Sequence, residues 1–282
     1  MVSVGKLEAN VGGFERRHII TGDTYMASLA NGSTLGLISS LGTQSATTYI
    51  NPENSSGVEI SYPMGDHKIG FQVLNQTNAA SASASGTTAG VPSVTKANNK
   101  RHSMGLQYEG SFADGMVMPI LSYMVGAADT VTYNGATGAA TSSSGVDQKF
   151  MNAGVKLNLP ADIGLMAEYF KNTSKDDAAN AKEDSTTSMV ITARYKHPEI
   201  QPILSFESSE NKIDEDSEST GSFKRTGISA AVEYTPKADE NFRYHAAYNT
   251  ITDKYGKPGL SNDSVTASQF IVGIKYSGDF LK

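Results

Sequence analysis

The stretch from Ser188 to Ser209, SMVITARYKHPEIQPILSFESS, constrains the fold more than any other part of the chain. Met189, Ile191, Ala193 and Tyr195 alternate with Val190, Thr192, Arg194 and Lys196. After a His-Pro-Glu corner, Ile200, Pro202, Leu204 and Phe206 alternate with Gln201, Ile203, Ser205 and Glu207. A period of two sends each set to its own face of a β-sheet. The fold must therefore offer such strands an apolar surrounding on one side and a polar one on the other.

The pattern recurs. VEISYPM (58–64) and HKIGFQVLNQT (67–77) form a pair around Gly-Asp, and RHSMGLQYEGSF (101–112) and GMVMPILSYMVG (115–126) form one around Ala-Asp. DQKFMNAGVKLNLP (147–160) meets DIGLMAEYFKN (162–172) at Pro-Ala-Asp, and GISAAVEYTPK (227–237) meets NFRYHAAYNTI (241–251). With VSVGKLEAN (2–10) in front and SQFIVGIKY (268–276) at the end, about twelve strands are expected. Corners rich in Gly, Pro and Asp suit hairpin turns. The alternate connections are long: the Ala/Ser/Thr tract 78–100, the Gly/Ser/Thr-rich stretch 127–146, and the acidic stretches 173–185 and 209–222 read as loops. Short turns at one end and long loops at the other are the layout of an outer-membrane β-barrel.

Composition permits this and narrows the rest. Mean hydropathy is −0.31, and no apolar run approaches the roughly 18 to 20 residues of a membrane helix. Barrel strands alternate faces, so neither observation counts against a barrel. A net charge of −6 without a basic patch argues against a nucleic-acid partner. Cysteine is absent, so there are no disulfides and no thiolate chemistry. The five histidines (His18, His67, His102, His197, His245) lack metal-ligand spacing, and no cofactor or metal is expected. The first residues carry no signal-peptide pattern. An exported chain would then be numbered after cleavage or from inside a longer one.

A soluble sandwich would also alternate, its apolar face meeting a second sheet. The tyrosines separate the two. Tyr62, Tyr108, Tyr195, Tyr234 and Tyr276 lie where strands enter short turns or the chain ends, the place of an aromatic girdle at headgroup depth. The apolar face then touches lipid and the polar face lines water. Lumen-facing charges by alternation are Lys68, Glu109, Lys156, Glu168 and Arg194, followed by Lys196, Glu207, Glu233, Arg243 and Lys275. They are mixed in sign, so the wall alone predicts weak selectivity. Pro119 and Pro202 sit inside strands, where each deletes a ladder donor and suggests a bulge.

Residues 11–60 contain VGGFERRHIITGDTYMASLANGSTLG, which resembles the third loop of the trimeric general porins of Gram-negative bacteria. The residues themselves read as a short helix with Asp23 as N-cap and Asn31-Gly32 as stop. The connection 11–56 is the longest in the chain and apolar for a loop (Ile19, Ile20, Leu35, Leu37), so it needs a wall to pack on. The resemblance implies one barrel domain over 1–282, with 11–56 folded into the lumen as a constriction. It implies an outer-membrane location with long loops extracellular and short turns periplasmic, a homotrimer, and passive diffusion of small hydrophilic solutes and ions. Glu15 falls where a constriction acid is expected, Ile19 where the second would be, and Asn51 where a wall arginine would be. Arg16, Arg17 and Asp23 complete the candidate constriction set; for Asp23 the competing role is the helix cap. Family members have sixteen strands with this loop after the fifth. Four further N-terminal strands, or a complete twelve-stranded barrel, would reconcile the counts. Two other functions are weighed beside the pore. One is a barrel enzyme of phospholipase or protease type, needing a serine or acid beside His67 or His197. The other is a soluble β-sandwich adhesin or binding domain.

Overall fold

The computed structural model describes residues 1–7, 55–75, 83–88, 91–97, 102–134, 140–176, 183–212, 222–237, 241–256 and 263–276. It is all-β. The first strands are β1 (Val2–Leu7), β2 (Ser55–Met64), β3 (His67–Leu74), β4 (Ser83–Thr88), β5 (Val91–Ala97) and β6 (Ser103–Gly110). The long ones follow: β7 (Val117–Asn134), β8 (Ala140–Leu159), β9 (Ile163–Asp176) and β10 (Glu183–Tyr195). β11 (Ile200–Lys212), β12 (Ser222–Tyr234), β13 (Phe242–Gly256) and β14 (Asp263–Tyr276) complete the sheet. Twelve strands form one antiparallel path, β1-β2-β3-β6 and then β7 to β14 in sequence order. β4 and β5 form an additional hairpin whose second strand pairs with β7.

Two stretches expected as loops are partly strand. Most of 127–146 belongs to β7 and β8, paired from Ala127↔Asp147 to Thr132↔Ser142. Much of 78–100 is the β4–β5 hairpin. The acidic stretches are shorter than expected too, since β9 runs to Asp176, β10 starts at Glu183, β11 reaches Lys212 and β12 starts at Ser222. At its far end the 11–56 connection yields Ser55 and Ser56 to β2.

The tight corners have the backbone their sequences suggest. Ala113-Asp114 and Ala161-Asp162 all take positive φ. Two consecutive left-handed residues make the hairpin turn that matches strand twist, and Asp tolerates the conformation well.

The prolines do not mark bulges. Pro119 pairs with Val155 and Pro202 with Val232 in unbroken register. Val117 donates its N–H to Phe112, so Pro119, two residues on, aims its missing donor at the same side, toward β6. The β6–β7 ladder stops one residue short, at Glu109↔Ile120. Likewise the Glu199 carbonyl faces β12, so Pro202 faces β10, and the β10–β11 ladder ends at Arg194↔Ile203. Each proline sits just past the end of the one ladder that would have needed its N–H.

One face of the sheet carries a band of exposed apolar side chains. On each of β9 to β14 it is four outward residues tall, counted from the short-turn end; Tyr195, Ala193, Ile191 and Met189 on β10 are an example. The next outward residue is polar every time: Lys171, Thr187, Ser208, Thr226, Thr250 and Ser268. Four outward positions cover about 20 Å of strand at ~3.4 Å per residue. The upper boundary climbs against the register. Tyr169 lies opposite Met189, but Met189 lies opposite Ser208; Phe206 lies opposite Ile228, but Ile228 lies opposite Thr250. A level band therefore shifts two residues every two strands, a strand tilt of about 35° and a value typical of barrels.

Candidate functional site

The face opposite the band is the candidate site. Its residues are mostly polar and withdrawn from solvent: Gln72, Gln107, Ser122, Asn152, Glu168, Thr192, Ser205, Glu207, Ser229, Glu233 and Asn249 are all buried. Register brings several of them into hydrogen-bond reach of one another. Thr192 and Ser205 are directly opposite and their hydroxyls are 3.2 Å apart. Ser188 and Ser209 are also opposite, 2.7 Å apart, and both hydroxyls reach the Glu207 carboxylate. Asn152 donates to Glu168 at 3.4 Å, and Gln72 to Glu59 at 2.9 Å.

The ten charged residues read from the alternation lie on this face, at different depths. Glu168, Glu207 and Glu233 are buried, whereas Lys196 and Lys275 are exposed. Glu233 is shared: Arg194 approaches it to 3.5 Å and Arg243 to 3.4 Å. Lys68 and Glu109 are register neighbours on β3 and β6. Lys156, Arg194 and Lys196 border a cavity of about 260 Å³ near the short turns. The mid-height carboxylates Glu168 and Glu207 are buried and accept side-chain hydrogen bonds. Of the ten, Lys68, Lys156, Arg194, Lys196, Arg243 and Lys275 lie toward the short-turn end with Glu109 and Glu233, six cations to two carboxylates.

Sequence reading missed Arg225 and Asp253. They are opposite in the β12–β13 register, fully buried, and joined by two parallel bonds of 2.8 Å, Nε to Oδ1 and Nη2 to Oδ2. Such forked pairing is the strongest geometry an ion pair adopts. Extending the β12 alternation Glu233, Ala231, Ser229, Gly227 by one step reaches Arg225 and would have found it.

An apolar cluster on the same face is also unexpected in a water-lined wall. Leu74, Met124, Phe150, Phe170 and Val190 pack together, with Leu7 against them. Gly105 leaves the room this needs, since a Cβ there would lie 2.7 Å from the Met124 Cε.

Among the girdle tyrosines, Tyr62, Tyr195 and Tyr234 are exposed on the band side and Tyr108 and Tyr276 half-exposed. Phe242 and Tyr244 join this row, with Phe242 against Tyr276 at 4.9 Å. A second aromatic row, overlooked in the sequence, marks the upper edge of the band: Tyr169, Phe206, Tyr248 and Phe270. Glu15, Arg16, Arg17 and Asp23, with the expected helix and Asn51, lie outside the described residues.

The histidines with acidic neighbours are engaged locally. His67 Nδ1 is 2.9 Å from the Tyr108 hydroxyl. His197 Nδ1 accepts from the backbone N–H groups of Glu199 and Ile200, and Glu199 pairs with Lys237. That contact raises the Lys237 pKa, through its hydrogen bond to Glu199 first and the carboxylate charge second. No group of three or more metal-ligating side chains occurs among the described residues.

The solved structures include a match to this arrangement. The crystal structure of the outer membrane channel DcaP of Acinetobacter baumannii superposes with a TM-score of 0.57 at 9% identity, covering 97% of this chain and 71% of that one. The chain has the fold of an outer-membrane channel barrel. No family model matches the sequence, and no curated protein matches it.

Proposed function

We propose that the protein is an outer-membrane porin, a water-filled barrel for passive diffusion of small hydrophilic solutes and ions. The observation that carries this reading is the level apolar band on the outward face, bounded by aromatics at both edges and backed by a polar inner wall. An outward band of this kind fits hydrocarbon, with rings at the headgroups and hydroxyls and lysines beyond them. Short turns then face the periplasm and long connections the exterior. The inward cluster around Met124 and Phe150 supports the expectation that segment 11–56 folds into the lumen, because it supplies an apolar wall where a water-lined one would be polar. Glu15, Arg16, Arg17 and Asp23 would then stand at the narrowest point. Trimeric assembly is part of the same proposal, and the molar mass of the detergent complex tests it.

Planar-bilayer recording of the purified, folded protein is the deciding experiment. Stepwise potassium chloride conductance is expected; folded protein that carries no current overturns the pore. Glu15→Gln should shift the reversal potential in a salt gradient toward anions, and an unchanged potential removes Glu15 from the constriction.

A further inference from the structure

The cavity near the short turns is lined by Lys156 of β8, Gly164 of β9, Thr192 and Arg194 of β10, Lys196 just beyond it, and Gln201 of β11, with no acidic residue in its lining. We propose that it is a binding subsite for a small dianionic oxyanion of the phosphate type, at the short-turn mouth of the channel. This names a solute class for the pore and rests on the porin reading for its position on a transport path, but not for binding itself.

Three features make it a site rather than a solvated wall. The first is charge. Lys156, Arg194 and Lys196 line the cavity, and the one carboxylate that Arg194 approaches, Glu233 at 3.5 Å, is shared with the neighbouring Arg243 at 3.4 Å. Divided between two guanidinium groups, one carboxylate leaves the group net cationic. The second is orientation. Arg194 is largely buried, and its Nη1 is fixed on the Gln201 Oε1 at 3.1 Å. Lys196 is held by the Asn158 Oδ1 at 2.5 Å. Held donors lose less entropy on binding than mobile surface lysines. The third is space. Lys196 lies across Gly164, where a Cβ would come within 2.8 Å of its Cε. Glycine there lets the ammonium fold over the cavity. A guanidinium beside two ammonium groups matches an oxyanion with several acceptor oxygens better than chloride. Charges so close to a bound ion also act within the ~8 Å over which salt screens.

The test is equilibrium binding of inorganic phosphate at pH 8 to folded protein in detergent, beside potassium chloride conductance of the same preparation. Saturable binding in the millimolar range or tighter is expected. Arg194→Gln and Lys156→Gln should each weaken it about tenfold, and Glu233→Gln, which removes the competing carboxylate, should tighten it several-fold. If Arg194→Gln fails to fold, Lys156→Gln with Glu233→Gln carries the same opposite-sign test. Phosphate that does not bind, or binding that ignores all of these substitutions, overturns the subsite. Loss of conductance with phosphate binding intact would overturn the porin reading alone.

Discussion

The middle of the sheet and its two edges carry the same kinds of side chain in different surroundings. Ile191 and Val232, outward and mid-sheet, are 40% and 39% exposed, whereas Val272 on β14 is 68% and Val4 on β1 is 76%. Inward, Asn249 is buried, but Gln269, its register partner on β14, is exposed. β1 and β14 do not pair with each other. About half of the 14 residues of β14 therefore turn an N–H and a C=O toward an open side. In hydrocarbon each such group costs several kcal/mol. The mid-sheet strands satisfy their neighbours, and the edges still demand some. Twelve strands on the path make β1 and β14 antiparallel, so direct pairing, or an even number of further strands between them, would meet the demand.

The largest effect separates those two closures. The chain has no cysteine, so introduced pairs report cleanly. Cysteines scanned at Val2 or Val4 against Phe270, Val272 or Ile274 should stay uncrosslinked when intervening strands close the barrel. Near-complete oxidation of one pair, read as a gel shift, would show direct pairing, because a disulfide needs Cα atoms within about 7 Å. Next comes the mid-sheet ion pair. Arg225→Ala leaves Asp253 buried and alone, and a loss of about 3–5 kcal/mol in unfolding free energy is expected. Smaller is the effect of charge on the band. Leu204→Arg should cost about 2–4 kcal/mol near the bilayer midplane, and Val272→Arg should cost the same if the β14 edge is sealed in lipid. A near-zero cost at Val272 alone, in reversible unfolding from lipid vesicles, would put that edge in water.

How much of this was legible in the sequence depended on height along the strand. Within the band, an apolar surrounding on one side and a polar wall on the other enforce a period of two, so Met189 to Tyr195 and Ile200 to Phe206 announced themselves. Above the band both faces can be polar and no alternation is enforced. The Ser/Thr-rich halves of β7 and β8 therefore read as loop although they pair through Thr132↔Ser142. The same blindness hid Arg225 and Asp253, which lie beyond Gly227 and Ile251, where the readable pattern stopped. Alternation placed Glu168 and Glu207 on the inward face. Their burial depends on which residues stand opposite, and register is set by turns and pairing between distant segments, which one strand's pattern does not carry.

The smallest effect asks whether the two faces treat a hydroxyl differently. Ser188 is buried, 2.7 Å from the Ser209 hydroxyl and 3.4 Å from the Glu207 carboxylate. Thr266 makes a similar bond of 2.9 Å to Thr252, but outward and exposed. Ser188→Ala removes a donor from a buried carboxylate and should cost about 1 kcal/mol. Thr266→Ala exchanges a bond that water can replace and should stay within about 0.5 kcal/mol. Equal losses in paired denaturant titrations would mean that water reaches Ser188 as freely as Thr266, and the inner wall would then be an open aqueous surface at that height.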